Sequence, residues 1–145
     1  MRGLIQRVTH ANVKVDGDVI GQIDHGILLL LGVEADDTDV RCKRLVERVL
    51  NYRIFPDSKS RMNLNLQQIK GQLLVVSQFT LVADTTRGNR PGFSKAASPE
   101  KGLQLYRSFL TYLDAYDVKV ATGEFGADMK IELVNDGPVT FLLEA

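Results

Sequence analysis

Four residues inside an apolar stretch carry the groups best suited to chemistry in this chain. Residues 72–84 read QLLVVSQFTLVAD, and Ser77, Gln78, Phe79 and Thr80 lie between the two apolar runs. A buried hydroxyl or amide without a partner costs about 1–3 kcal/mol. These side chains therefore meet neighbouring backbone groups, as at an ordinary strand end, or they open into a site where a ligand satisfies them.

A second polar interruption lies near the C-terminus. Residues 135–138 read NDGP and separate two alternating apolar runs, 129–133 and 139–143. Asp-Gly is a turn signal, and proline cannot donate a hydrogen bond to a strand ladder. Composition alone therefore predicts a hairpin at this point.

No side-chain nucleophile with an adjacent base is visible. His10 and His25 fall near the ends of predicted strands, and Cys42 lies on the apolar stripe of a predicted helix, which favours core packing over reactivity. Two histidines and one cysteine argue against a structural zinc site. We therefore expect neither a metal nor a cofactor.

Residues 85–97 form a long loop with three cations, Arg87, Arg90 and Lys95, and no acidic residue. Loops of this length in a compact domain are usually functional or disordered. The residues alone leave two interpretations open. The loop is a solvated lid, or it contacts phosphates and offers Phe93 as a stacking surface.

The elements that position these residues alternate between strands and helices. Apolar spacing and caps predict helices at about 38–53 and 98–115. The order predicts an α/β domain with a mixed sheet and two helices on one face. Strands are predicted at 4–10, 13–15, 19–23, 27–33, 62–66, 72–76, 117–121, 129–133 and 139–143.

Composition limits the function classes. The 145 residues are 44% hydrophobic, with 18 basic and 18 acidic side chains, so the formal charge is zero. This suits one compact domain and gives no global field toward nucleic acid or membrane. The longest apolar run, 27–33, is too short to span a bilayer, and no secretory signal is visible. A single cysteine suggests a reducing compartment, so we expect a cytoplasmic protein with no membrane association.

The segments SQFTL at 77–81 and NDGPVT at 135–140 together resemble the paired signatures of the D-aminoacyl-tRNA deacylases. The resemblance covers the whole chain and includes QRV at 6–8 and RPGFS at 90–94. It implies one domain over residues 1–145, with a mixed β-sheet or half-barrel and two helices packed on one face. The layers would then be α/β/β.

The resemblance also implies a function. Such an enzyme hydrolyses the ester between a D-amino acid and the 3′ acceptor end of tRNA, so aminoacyl-tRNA would be its partner. It would be a homodimer with active sites at the subunit interface. The Gly137-Pro138 segment, with a cis peptide bond, would reach in from the other subunit and exclude L side chains. Achiral glycine has no side chain to exclude, so glycyl esters, including glycine mischarged on tRNA(Ala), would also be hydrolysed.

Two catalytic models follow for the family-derived catalytic segment 77–80. Thr80 is the candidate nucleophile, but no visible base partners it. We therefore favour a second model, in which backbone amides of residues 78–80 stabilise the oxyanion and the ribose 2′-hydroxyl helps to activate water.

Other residues receive supporting roles. Arg7 is expected to fix the Gly137-Pro138 segment of the partner, although a surface arginine on an edge strand is an alternative. Phe79 is expected to pack in the core, or else to face the adenine. Phe125 and Met129 are expected to shape the pocket rim. Arg87, Arg90 and Lys95 are candidates for tRNA phosphate contacts.

Two rival functions stay open at this point. One is an editing deacylase for another mischarged tRNA. The other is a non-catalytic dimer that binds the tRNA end, which the neutral charge disfavours.

Overall fold

The computed structural model describes all residues from Met1 to Ala145. Two helices and eight strands form the chain, and a short 3-10 helix at Phe79–Val82 follows the sixth strand. The helices are α1 (Asp39–Asn51) and α2 (Pro99–Leu113). The strands are β1 (Arg2–Val15), β2 (Asp18–Ile23), β3 (Gly26–Gly32), β4 (Phe55–Pro56), β5 (Met62–Leu64), β6 (Gln72–Ser77), β7 (Lys119–Thr122) and β8 (Lys130–Glu144).

The main sheet is mixed, with the order β2-β1-β3-β6-β7, and β8 also pairs with β1. The β3–β6 and β6–β7 pairs are parallel, and the other pairs are antiparallel. Parallel neighbours need a crossover, and α1 and α2 lie in those two crossovers. β4 and β5 form a separate two-stranded sheet, so the strand predicted at 62–66 lies outside the main sheet.

Both helices begin at the predicted caps. The Arg41 amide donates to Thr38 Oγ1 at 3.4 Å, and the Lys101 amide donates to Ser98 Oγ at 3.3 Å. The predicted stripe of α1 is buried: Cys42, Leu45, Val46, Val49 and Leu50. Both helices pack in one apolar cluster with side chains of β1, β3 and β6, on one face of the sheet, as the spacing predicts.

The apolar core has two parts, one on each face of the sheet. The larger cluster joins both helices to side chains of β1, β3 and β6, such as Ile5, Leu29 and Val75. The smaller cluster joins β1, β2, β3 and β6 on the other face, through residues such as Val13, Leu28 and Leu74. Helices, sheet and the curled strand layer therefore make the predicted α/β/β arrangement.

The C-terminal segment differs from the hairpin that composition predicts. β8 is one strand that pairs antiparallel with β1 along nearly its whole length. The register slips where residues 136–139 stand opposite Arg7, since Gln6 faces Thr140 and Val8 faces Asn135. Asn135 closes this bulge, because its side chain accepts from the Val139 amide at 3.0 Å and donates to Thr140 Oγ1 at 2.9 Å. The turn chemistry of NDGP therefore bends a strand without reversing it.

Neither helix has both the length and the apolar content that a membrane-crossing segment requires.

Candidate active site

The segment SQFT lies where β6 leaves the sheet. β6 ends at Ser77, and the Gln78 amide donates to the Leu31 carbonyl at 2.8 Å, which continues the β3 pairing by one residue. The chain then turns into the 3-10 helix, whose first bond joins the Leu81 amide to the Gln78 carbonyl at 3.2 Å. The amides of Phe79 and Thr80 lie in the first turn, where no side chain caps the helix.

The Thr80 hydroxyl has one partner, and it is not a base. Gln78 Nε2 donates to Thr80 Oγ1 at 2.5 Å, and both side chains are on the surface. No carboxylate or imidazole is hydrogen-bonded to this hydroxyl. An alcohol without a base is a weak nucleophile, so this geometry suits a positioning role better than attack.

A largely apolar cavity of about 460 Å³ opens beside this turn. It brings together five of the predicted site residues, Ser77, Gln78, Phe79, Phe125 and Met129. A cavity of this size and character falls in the range of small-ligand sites. Its other lining residues are Leu31, Val33, Val76, Ala97, Ser98, Pro99, Gly102, Tyr106, Gly126, Ala127 and Ile131.

Gly137 and Pro138 do not line this cavity. Their peptide bond is cis, as the resemblance implies, and Gly137 has φ +126°. Arg7 holds the segment: its Nε donates to the Asp136 carbonyl at 3.1 Å and lies 3.2 Å from Asp136 Oδ2, and its Nη1 donates to the Ile54 carbonyl at 2.7 Å. These contacts lie within one chain, and the expected role of Arg7 toward the segment of a partner stays a prediction. Arg7 is also not a free surface side chain.

Phe79 is not part of the core, which corrects the favoured expectation. Its ring is 64% exposed and lies 5.1 Å from the ring of Phe93, measured between centroids, at an interplanar angle of 44°. The 3-10 helix buries Val82 instead, because Val82 is the residue that faces the sheet interior. Phe79 therefore stands at the mouth of the cavity.

The basic loop is closed at its base by backbone hydrogen bonds. Asp84 and Gly92 exchange backbone hydrogen bonds of 2.7 and 2.9 Å. The Asp84 carboxylate accepts from the hydroxyl and the amide of Thr86, at 2.6 and 3.0 Å, and these bonds lower the pKa of Asp84. Arg87, Arg90 and Lys95 form no ion pair, and all three are exposed. The loop thus presents free cations on a defined frame.

Comparison with known proteins now identifies the family. The family model described as D-Tyr-tRNA(Tyr) deacylase matches residues 4–144. The chain belongs to the D-Tyr-tRNA(Tyr) deacylase family. It is 60% identical over 143 residues to a protein of Pseudoalteromonas atlantica and 57% identical over 144 residues to one of Cellvibrio japonicus. Both relatives are named D-aminoacyl-tRNA deacylase, and each match covers 99% of both chains.

Solved structures show the same fold. A structure titled c-Myc DNA Unwinding Element Binding Protein has a TM-score of 0.94 at 36% identity and covers 100% of this chain and 99% of its own. A probable eukaryotic D-amino acid tRNA deacylase has a TM-score of 0.85 at 17% identity, with 99% and 98% covered, and supports the fold alone. The predicted α/β architecture is therefore confirmed for this deacylase-family chain.

Two cavity residues of the deacylase-family chain escaped the sequence reasoning. Tyr106 donates to the Val75 carbonyl at 3.1 Å and packs against Phe125, with 5.7 Å between ring centroids. Burial raises the pKa of Tyr106 to about 12, so the phenol stays neutral. Gly102 opens the space, because a Cβ there would lie 3.3 Å from the Phe125 ring. An isolated glycine inside a helical pattern was the signal that could have found it.

One acidic cluster could in principle hold a cation. Carboxylate oxygens of Glu34, Asp36 and Asp37 lie within 4.8 Å of one another. The buried Asp37 carboxylate accepts from the Met1 ammonium, and Arg41 lies 2.9 Å from Asp36 Oδ2. Because protein cations already neutralise the cluster, we read it as an ion-pair network that ties the start of β1 to α1.

Proposed function

We propose that this protein hydrolyses the ester of D-aminoacyl-tRNA and releases the D-amino acid and free tRNA. The observation that carries the proposal is the cavity beside the Ser77–Thr80 turn, in a chain whose relatives are named D-aminoacyl-tRNA deacylase. A nucleoside ester fits such a site, because an apolar cavity lies directly beside backbone donors. We place this activity in the cytoplasm, where tRNA is charged and used.

The terminal adenosine occupies the cavity in this proposal. Phe125 and Tyr106 offer ring faces, and Met129 adds a polarizable side chain, which together suit a flat base. The open side of the cavity at Ser77, Gln78 and Phe79 then receives the ribose and the ester. This assignment explains why the cavity is apolar while its mouth is polar.

Catalysis relies on main-chain donors. The Phe79 and Thr80 amides, in the first turn of the 3-10 helix, stabilise the oxyanion of the tetrahedral intermediate. One such donor contributes about 3–4 kcal/mol to transition-state stabilisation. The ribose 2′-hydroxyl helps to activate the attacking water, while the Gln78–Thr80 hydrogen bond fixes the turn.

A segment of the second subunit selects the chirality of the substrate, because it excludes L side chains from the cavity. The Gly137-Pro138 segment lies outside the cavity of its own chain, and Arg7 holds it firmly. We therefore assign it to the cavity of the partner, where its main chain grips the α-ammonium and occupies the direction an L side chain would need. Glycine has no side chain to exclude, so glycine mischarged on tRNA(Ala) is also a substrate.

The second subunit has a surface on which to dock. β8 pairs only with β1, so its outer edge is free. Its exposed apolar side chains include Val134 and Leu142, at 47% and 50% exposure. An unpaired edge strand with apolar side chains favours association with another chain. A homodimer that covers β8 would also present the nearby Gly137-Pro138 segment to its partner.

The test is deacylation of D-tyrosyl-tRNA, L-tyrosyl-tRNA and glycyl-tRNA(Ala) by the purified protein. We expect release of D-tyrosine and glycine, with L-tyrosyl-tRNA intact. Hydrolysis of L-tyrosyl-tRNA as well would contradict chiral exclusion and favour an editing enzyme of another specificity. Binding of tRNA with no hydrolysis would favour a non-catalytic protein that binds tRNA ends.

A further inference from the structure

Two exposed aromatic rings form a pair next to the proposed active site. Phe79 is 64% exposed and Phe93 is 39% exposed, although their ring centroids are only 5.1 Å apart. Phe79 comes from the 3-10 helix and Phe93 from the basic loop, so two separate segments build one apolar surface. Water contact at two large rings costs free energy that burial would recover, which favours a ligand with an apolar face.

Backbone hydrogen bonds fix the two segments that carry the rings. Phe93 directly follows Gly92, which exchanges two bonds with Asp84, and the Phe93 carbonyl accepts from the Ala96 amide at 3.0 Å. Phe79 directly follows Gln78, whose amide is bound to the Leu31 carbonyl at 2.8 Å. The pair is therefore organised before any ligand arrives, which reduces the entropy cost of binding.

The charges around the pair complement a phosphate backbone. Arg87, Arg90 and Lys95 lie on the same loop as Phe93 and form no ion pair, although the charge of Lys95 contributes to the lowered pKa of Asp84. Asp84, the acid at the base of the loop, is occupied by Thr86. Aromatic rings beside free cations are the features by which proteins bind single-stranded nucleic acid, since bases stack and phosphates pair with the cations.

We propose that the Phe79–Phe93 pair is a stacking platform for the base of the nucleotide that precedes the terminal adenosine of tRNA, and that the loop cations contact the phosphates. This inference rests on the proposed function, because it takes the cavity as the adenosine site. Phe79 lines the mouth of that cavity, so the nucleotide that leaves the mouth passes the pair first. The platform would hold single-stranded RNA in any sequence, because every base has a stacking face.

The test compares Phe93→Ala with wild type on three D-tyrosyl esters: those of adenosine, of the dinucleotide CpA and of full tRNA. We expect kcat/KM to fall about 5- to 150-fold on the dinucleotide and tRNA esters, the change that corresponds to about 1–3 kcal/mol of stacking on one base. The adenosine ester, which lacks the preceding base, should react at the wild-type rate. Phe93→Tyr keeps a ring face and should restore the dinucleotide rate.

Each other outcome has a defined meaning. An equal loss on all three esters would overturn the platform, because the ring would then support the site itself. Wild-type rates on all three would also overturn it. If the wild-type protein hydrolyses none of the esters, the proposed function fails, and this inference fails with it. Thermal unfolding and circular dichroism of Phe93→Ala would establish that the variant is folded.

Discussion

At the scale of single residues, Gly137 tolerates no side chain. A Cβ there would lie 2.7 Å from Val139 Cγ2 and 3.0 Å from Arg7 Nη2, and its φ of +126° strains any L residue. Backbone strain of this kind costs about 1–3 kcal/mol. Gly137→Ala should therefore shift the 136–139 bulge and lower kcat/KM for D-tyrosyl-tRNA by about tenfold or more. The measurement is steady-state deacylation.

Gly17→Ala is the matched control. Gly17 also has a positive φ, +90°, but nothing lies within 4 Å of its Cβ position. It lies in the turn between β1 and β2, away from the proposed site. The activity of the Gly17→Ala variant should therefore match wild type. Wild-type turnover in Gly137→Ala would show that the main chain at residue 137 makes no close contact with substrate.

Thr80→Ala should leave most of the activity. The variant loses one hydrogen bond, from Gln78 Nε2 to Thr80 Oγ1, and a bond of this kind contributes about 0.5–1.5 kcal/mol. The decrease in kcat on D-tyrosyl-tRNA should stay below about tenfold. Removal of a true nucleophile costs on the order of a millionfold. A loss of that size in a folded variant that still binds tRNA would make Thr80 the nucleophile.

The residues of the candidate site that could be predicted are those whose polar side chains interrupt a buried apolar strand. Ser77 and Gln78 stand out because polar groups there interrupt an apolar strand, and both do line the cavity. The sequence favours the core for Phe79 because large apolar side chains usually pack inward. Its direction is set by the 3-10 turn, which no local pattern reveals. Tyr106 was missed because it looks like any other apolar position of α2.

At the scale of elements, an ion pair joins Met1, just before β1, to Asp37, just before the cap of α1. The Met1 ammonium is buried against the Asp37 carboxylate and also donates to the Ala145 carbonyl at 2.9 Å. Asp37→Asn would leave the ammonium with only Glu34, whose carboxylate is 3.7 Å away and 19% exposed, as a counter-charge. Loss of one partner of a buried pair costs roughly 3–5 kcal/mol, so urea denaturation should show a decrease of that order in the free energy of unfolding.

Asp36→Asn provides the comparison for Asp37→Asn. Asp36 also pairs with Arg41, at 2.9 Å, but its side chain is 74% exposed. Surface pairs are screened by solvent and contribute little to stability, so this variant should unfold close to wild type. Equal destabilisation by the two substitutions would mean that burial of the Met1–Asp37 pair is not what stabilises this junction.

The structure of the C-terminal strand could not be predicted from local sequence patterns. Asn135 to Pro138 have the composition of a tight turn, and the same residues produce a bulge once β1 runs alongside. The decisive contacts are between Arg7 and Asp136, 129 positions apart in the chain. Helices α1 and α2 were predictable because their caps and stripes lie within one short stretch each.

At the scale of the whole molecule, the proposed dimer predicts complementation between two impaired chains. Gly102→Leu should block the adenosine cavity, since even a Cβ at residue 102 comes within 3.3 Å of Phe125. Gly137→Ala should distort the segment that enters the cavity of the partner. A mixed dimer then contains one complete site, from the cavity of one chain and the segment of the other. Equal mixing should restore about a quarter of wild-type activity.

The readout is deacylation after co-refolding or co-expression of the two variants, with each variant alone as the control. Activity of the mixture no greater than that of either variant alone would contradict a shared site. Sedimentation of the wild-type protein should give twice the chain mass. A monomer would contradict the assignment of β8 as an interface.

The order of strands and helices, and with it the α/β class, followed from periodicity and caps. The curling of the sheet around a second core could not be predicted from these patterns, because Val13, Leu28 and Leu74 meet across strands far apart in sequence. Such contacts depend on sheet twist and on the pairing order, and neither is encoded within one strand.

The sole thiol has a practical consequence. Cys42 is fully buried and contacts the Leu105 carbonyl at 3.5 Å, and burial raises its pKa to about 12. Thiol-directed reagents need an accessible thiolate, so the native protein should give almost no background labelling. A cysteine engineered at Ser94, beside Phe93, could then carry a single fluorophore without removal of the natural one. Its emission would report the arrival of an RNA end in real time.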